Sequence, residues 1–499
     1  MTAPDTASDT ASDTAPDATT GAATATQGTS TDGTAGGAAT GAPGAAAAQR
    51  GAPNQFALLG TRRFLPLFLV QFLGAFNDQV YQKAFVALVT YRLAAEVDMS
   101  IAMLGIIASG LFILPFAIIT PTAGQIADRI DKAFMMKCVK GWEIVVMCLA
   151  VVGYHTQNIM FLYLVLFLMG AQSAVFAPIK YSVLPQYLSR RELIGGNGLV
   201  QGSTFIAILV GTIMGNELIL TDNGVLIVSV FVVTIAVLGF IASLFAPPAG
   251  PTHPPGTVLK PVDWVFPRAI WRLVARVRTN PPAFRTILFI SWFWFLGATF
   301  LSLLPAYAKE ILGADEGVLT VLLAAFSVGV ALGAISAERL CLGRGALDVP
   351  PWGALGMAIM AVELYMATPA AAVAAANAGE LVDRATFFAS AAGWRVAIDF
   401  TLLAAFAGLY VTPLNAVLQA EAEPAIRGQY IAASNVVDAS FMVFSAIVAA
   451  ILTAVGLAPN AVLTVLTLSG IPMALIVAWY APGTRLNGLA TRLWPRGPG

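Results

Sequence analysis

Charge is what this sequence has least of. Lys, Arg, Asp and Glu make up 11% of its 499 residues, hydrophobic residues make up 58%, and mean hydropathy is +0.78. A soluble chain of this length would need far more charged surface, so the composition points to a polytopic membrane protein. Histidine is nearly missing. His155 and His253 are too few for a histidine-rich metal site, and no metal is expected. Cys138, Cys148 and Cys341 stand apart, with no C-x-x-C pair and no disulfide framework, and read as apolar filler. There is no GxxxxGK[ST] run, which excludes a P-loop ATPase, and no GxSxG nucleophile elbow. Neither histidine is followed five positions later by Asp, so the His-x4-Asp site of glycerolipid acyltransferases is absent. Nothing suggests nucleic-acid binding. An enzyme and a bound cofactor are not expected.

What is present is a series of apolar stretches, each near the ~20 residues that a helical span needs. Twelve can be read: 64–93, 101–123, 134–153, 158–178, 194–217, 225–246, 284–307, 317–337, 352–370, 391–413, 429–453 and 459–481. The Ala-rich segment 371–390 fits a loop or a surface helix. With the N-terminus inside, Arg92, Lys309 and Arg384 fall outside, and Lys83, Lys180 and Arg395 fall within spans. The remaining basic residues go to the cytoplasmic side. That skew is the positive-inside pattern, and it supports twelve spans in the cytoplasmic membrane with both termini inside.

Residues 1–55 are Ala, Thr, Gly, Asp and Pro, repeating a short unit in "DTASDTASDTAPD". Such a segment cannot bury enough surface to offset its ordering entropy and is expected to be disordered. It has neither the basic start nor the apolar run of a signal peptide. Residues 56–246 form a first six-span unit, 247–283 a linker, 284–482 a second six-span unit, and 483–499 a cytoplasmic tail. The linker is Pro-rich and then basic. Ile270, Trp271, Val274 and Val277 alternate with Arg268, Arg272, Arg276 and Arg278, as in an amphipathic helix on the inner leaflet.

The two units echo each other. "FLGAF" (Phe72–Phe76) matches "FLGATF" (Phe295–Phe300), and "GQIADR" (Gly124–Arg129) matches "AISAER" (Ala334–Arg339). "APIKYSVLPQ" (Ala177–Gln186) matches "TPLNAVLQAE" (Thr412–Glu421). Three matches in one order suggest a duplicated six-helix unit, a known transporter plan.

Against this apolar background the polar residues stand out. In the first span Gln71, Ala75, Asp78 and Gln82 fall within about 60° of one another, with Gly74 beside them; Asn77, next to Asp78 in sequence, is a further path candidate. Asp78 lies about 21 Å along the helix from Phe64. A charge at that depth costs roughly 2.5–3.5 kcal/mol, so the stripe should face the bundle interior or a wet cavity. It lines a substrate path or fixes a structural pair. Lys83 is about 140° away and does not share that face. Lys180, after Pro178, is either a second path residue or a snorkelling interfacial cation. Asn197 and Gln201 share a face of the glycine-rich fifth span, as Asn435 and Asp438 do in the eleventh. Glu363 and Asp399 rank lower, being nearer the outer surface. Gly124, Asp128 and Arg129, in the loop after the second span, suit a contact that forms in one conformational state.

Twelve spans in two echoing halves with "GQIADRIDK" after the second resemble the major facilitator superfamily. "QFLGAFNDQVYQKAFVALVTY" (Gln71–Tyr91) and "APIKYSVLPQ" resemble the bacterial lysophospholipid transporter family. The resemblance implies an all-α membrane protein with twelve transmembrane helices in two pseudo-symmetric six-helix bundles. It further implies movement of lysophospholipids between leaflets for reacylation, with Asp78 and Lys180 on the substrate route. Some members of that family are fused to an acyltransferase; this chain is not. A proton-coupled exporter of amphipathic solutes is the alternative, although such exporters often carry a Gly-Pro turn in the fifth span and "GTIMGN" has no Pro. A third reading is an accessory subunit that recruits a separate acyltransferase through the basic linker.

Overall fold

The computed structural model describes residues 54–93, 101–253, 256–257, 261–376 and 381–493. The expected disorder of residues 1–53 lies outside the described residues, as do 377–380 of the Ala-rich segment and 494–499 of the C-terminal tail. Residues 54 and 55, assigned to the tail by the sequence, are structured. Asn54 caps a short 3-10 helix, Gln55–Gly60, and Gln55 is already buried.

The described residues are almost entirely helical. The helices are α1 (Leu65–Tyr91), α2 (Ile101–Ala127), α3 (Lys132–Thr156), α4 (Ile159–Tyr187), α5 (Leu193–Leu220), α6 (Gly224–Leu244), α7 (Phe266–Val277) and α8 (Pro281–Ala306). They continue with α9 (Glu316–Cys341), α10 (Pro350–Ala376), α11 (Arg384–Ala389), α12 (Ala391–Glu421), α13 (Arg427–Ala454), α14 (Pro459–Thr467), α15 (Gly470–Trp479) and α16 (Asn487–Leu493). Each expected span coincides with a long helix except the last, which is broken into α14 and α15 at Leu468–Ser469. Among the described residues, nine of these segments are long and apolar enough to cross a membrane. Helices α1, α3 and α10 fall outside that set. The first two carry buried charge, Asp78 on α1 and Lys140 and Glu143 on α3.

Local chemistry sets the helix ends. Asp131, Asn158, Asn280, Asp315 and Ser390 each accept a hydrogen bond from a first-turn N–H, the preferred capping chemistry. The membrane also tolerates what water would not. Helix α4 runs through Pro178 and Pro185, and α2 through Pro115 and Pro121, because neighbouring helices shield the freed carbonyls. This corrects one expectation. Lys180, read as standing at the end of the fourth span, lies inside α4, which continues for nearly two turns beyond it.

Helix α1 packs on α5 and α6, α2 on α4, and α3 on α4 and α6. In the second half α8 packs on α12 and α13, α9 on α12, and α10 on α12 and α15. Tyrosines pin these interiors. The Tyr81 hydroxyl donates to the Leu162 carbonyl at 2.8 Å, and Tyr410 does the same for Phe289 at 3.0 Å. The halves meet through α5 on α9 and α2 on α13.

The linker helix α7 is also corrected. Its packed face is Ala269, Leu273 and Val277, set against α2 and α13, and Trp271 points outward. Arg268 and Arg272 both pair with Asp263 at 2.9 and 2.8 Å. Asp263 in turn joins the linker to α2. Its carbonyl accepts from Thr122, and its N–H donates to Gln125.

Candidate transport path and gate

The opening polar stripe divides in the structure. Asn77 and Asp78 turn inward to α3 and α4. Gln71 turns to α5 instead, where its amide contacts the Ser203 hydroxyl and its carbonyl accepts from Thr204 at 2.9 Å. That is helix–helix packing, apart from Asp78. Gln82 is half-buried, one turn beyond Asp78.

Around Asp78 a buried polar cluster forms. Lys140 and Glu143, one turn apart on α3, make an ion pair with side chains 1% and 2% exposed. Asn77 donates to Glu143 Oε1 at 3.0 Å, and Gln172 on α4 donates to Glu143 Oε2 at 3.1 Å. Ser173 donates to Asp78 Oδ2 at 2.6 Å. Asp78 Oδ1 has no hydrogen-bond partner, and among the described residues Asp78 makes no ion pair. Gly74 makes room for the cluster, since a β-carbon there would lie 2.6 Å from Lys140 Nζ. Lys180 is half-buried on α4, its ammonium 4.7 Å from the Tyr181 ring centroid and within Coulombic reach of Asp78. Tyr181 donates to Gln201 on α5 at 3.1 Å.

Sequence reasoning assigns Lys140 to the cytoplasmic charges and gives Glu143 no role, and both assignments need correction. The available signal was an opposite-charge pair at i, i+3 inside the apolar run from Val139 to Val146. Lys83, by contrast, packs on α5, where a β-carbon at Gly215 would come within 3.0 Å of its own. In the second half Asp438 accepts from Ser291 on α8 at 2.6 Å and from Ser434 at 3.3 Å. Asn435 is on the same helix, with its amide nitrogen buried and unbonded. Glu363 pairs with Arg395 at an exposed position, in keeping with its lower rank.

The hydrogen bonds joining the two halves gather at one end. Asp128, fully buried just past α2, accepts from the Gly428 N–H at 2.7 Å and the Gln429 N–H at 3.1 Å. These belong to the first turn of α13, where N–H groups lack helical partners and the helix dipole favours an anion. The backbones are close. A β-carbon at Gly124 would lie 2.8 Å from the Gly428 carbonyl oxygen and 2.6 Å from the Ala432 β-carbon. The echo in the second half lies at the corresponding place but bonds differently. Glu338, at the end of α9, accepts from the Gln55 N–H at 3.0 Å and sits beside Gly195 in the first turn of α5. A β-carbon at Gly198 would lie 2.5 Å from the Ala334 carbonyl oxygen. Asn197 and Gln419 exchange two hydrogen bonds, 2.9 and 2.8 Å, across the same end. Asn197 therefore belongs to this closure and not to the cluster at Asp78. Arg129 follows Asp128 in the same loop.

Burial pushes the Asp128 carboxyl up to about 6, with the Gly428 N–H, Lys132 and Gln429 pulling the other way. Glu192, at the start of α5, is held down at about 2, first by its hydrogen bonds from Arg63.

Comparison with known proteins places this geometry. A family model described as the Major Facilitator Superfamily matches residues 67–437. The chain is 26% identical over 393 residues to a lysophospholipid transporter LplT of Serratia proteamaculans, covering 77% of this chain and 86% of that protein. A lysophospholipid transporter LplT of Klebsiella pneumoniae is also 26% identical, over 81% of this chain and 92% of its own length. Among solved structures, the human organic anion transporter MFSD10 superposes with a TM-score of 0.65 at 14% identity, covering 85% of this chain and all of its own. The transporter FucP in its outward conformation gives 0.60 at 15% identity, covering 84% and 99%. The family match and the helical architecture agree: the chain belongs to the major facilitator superfamily and is a multi-pass membrane transporter, not an enzyme.

Proposed function

We propose that this transporter moves lysophospholipids across the cytoplasmic membrane by alternating access, with both termini inside. The observation that carries the reading is the half-satisfied, buried Asp78 carboxylate, with the Lys180 ammonium in Coulombic range but not paired to it. A zwitterionic head group has an ammonium for Asp78 Oδ1 and a phosphate for Lys180. The acyl chain stays among apolar side chains. The relatives named as lysophospholipid transporters support the same substrate class. Asp438 and Asn435 are the candidate contacts from the second half. The test is uptake of lysophosphatidylethanolamine, lysophosphatidylcholine and lysophosphatidylglycerol into proteoliposomes. Flux of none of them, with flux of soluble amphipathic cations driven by a proton gradient, would favour the exporter.

Lys180→Ala should impair lipids with a net anionic head group more than uncharged amphipaths, because an ammonium on the path is most useful against phosphate. Equal loss for every substrate would make Lys180 a structural residue.

In this reading the Asp128 end is the closed gate, and the halves rock about the central site. Asp128→Ala leaves the Gly428 and Gln429 N–H groups without their acceptor. Each buried orphan costs about 1–3 kcal/mol, so the closed-to-open ratio should fall by at least about fivefold and turnover should slow. Spin-label distances across the closed end read this directly, and unchanged distances would remove Asp128 from the gate. The gate should also respond to pH. With a carboxyl near 6 when closed and near the usual ~3.9 when exposed, the closed state binds the extra proton between those values. Lowering pH from 7.5 to 5 on that side should therefore favour the closed state. No such shift should remain in Asp128→Ala.

A further inference from the structure

An open cleft of about 650 Å³ lies at the gated end, outside the path just described, where the start of α1, the start of α3 and the end of α6 meet. Its volume falls inside the ~300–1,000 Å³ range of small-molecule sites. Arg62, Arg63 and Lys137 line it, with Asp131 as the one acid. Asp131 is already occupied. Its Oδ1 accepts from the Phe134 N–H at 2.8 Å and its Oδ2 from the Ala249 N–H at 3.0 Å. Arg63 is engaged with Glu192 and the Tyr187 carbonyl. Arg62 and Lys137 make no ion pair among the described residues, which leaves two available cations in the lining.

The rest of the lining includes exposed apolar side chains: Phe134, Leu244 and Phe245. From Phe134 an exposed stripe runs up α3 through Cys138, Val145 and Val152 at helical spacing. From Leu244 another runs back along α6 through Ile241 and Val237. On a membrane helix such stripes face acyl chains. The cleft thus has cations where a head group would lie and two apolar tracks where its chains would run. A soluble phosphate compound would use only the cations.

We propose that this cleft holds the phosphate head group of an anionic bilayer phospholipid, seated at the membrane interface with its chains against α3 and α6. This lipid is a bound regulator and not the transported substrate, because the cleft lies on the outer flank of the first half. Its effect would pass through Asp131, which both lines the cleft and stands three residues from the gate residue Asp128.

The experiment is native mass spectrometry of the full-length protein from mixed micelles of dioleoylphosphatidylglycerol and dioleoylphosphatidylcholine. Wild type should retain phosphatidylglycerol selectively. The double variant Arg62→Gln, Lys137→Gln should bind at least about fivefold less of it, as expected when two interfacial cations are removed, and should hold phosphatidylcholine unchanged. Arg62 is exposed and Lys137 half-buried, so the variant should fold, which its melting temperature in lipid-free detergent checks. A wild type without preference, or a double variant that keeps the preference, would overturn the proposal. So would displacement of the lipid by millimolar inorganic phosphate, since the cleft would then be a free-anion site. Because retention is read without transport, this result stands apart from the substrate assignment.

Discussion

Replacing Lys140 with Met is expected to cost about 3–5 kcal/mol of stability, the largest loss from any single change in the polar cluster. The reason is the partner left behind. Glu143 is 2% exposed, and without the ammonium its charge would be buried with only the amides of Asn77 and Gln172 for compensation. Breaking a buried pair from one side costs more than the pair itself contributes. The control is Lys140→Met with Glu143→Gln. It removes both charges and keeps side-chain atoms at position 143 that can bond Asn77 and Gln172, so most of the loss should return. Denaturation in detergent of the two single variants and the double variant gives the coupling term. Additive losses would mean that the two charges act independently and that the pair does not organise α3.

That pair also shows where the sequence stopped being legible. Helix positions were readable because each span is a long, predominantly apolar run, and burial of such runs in lipid leaves helix as the available structure. Asp78 was readable because a carboxylate amid twenty apolar residues has no surface to escape to. Lys140 was hidden by its neighbours. Lys132 and Lys137 precede it, and three lysines near a span's start look like an interfacial belt. Periodicity gives the face of a helix but not the helix that meets it. Asn197 and Gln201 do share a face of α5, yet one pairs with Gln419 in the other half and the other with Tyr181 in its own half. Gln71 and Asp78 are separated for the same reason, by which neighbour each encounters.

The echo between halves was legible in part. "GQIADR" and "AISAER" do end helices that close on the first turn of a helix in the other half. The glycines that permit close approach are not kept on both members. At one crossing Gly124 and Gly428 face each other, with Ala432 beside them; at the other Gly198 on the second member alone meets Ala334. A close crossing needs a missing β-carbon at the contact, and either helix can supply it. A search for the same residue at equivalent positions sees only half of that requirement.

Asp78→Asn is expected to leave folding intact and to cut lysophosphatidylethanolamine flux by at least about tenfold, or about 1.4 kcal/mol on the barrier. The two halves of this expectation rest on different oxygens. Oδ2 accepts from Ser173, and an Asn carbonyl can do the same, so the helix contact survives. No cation is paired with Asp78 among the described residues, so none is left stranded. Removing the charge also relieves an insertion cost. Oδ1 is the oxygen that matters for transport. It is buried and unbonded, and an amide nitrogen in its place would present a donor where a lipid ammonium needs an acceptor. Flux in proteoliposomes and melting temperature, measured on one variant, separate the outcomes. Normal melting with lost flux supports the carboxylate as a head-group contact. A large fall in melting temperature would make Asp78 a structural partner of α4. Normal melting with normal flux would leave it a passive lining, and the substrate contacts would have to be sought at Asp438 and Asn435 on α13.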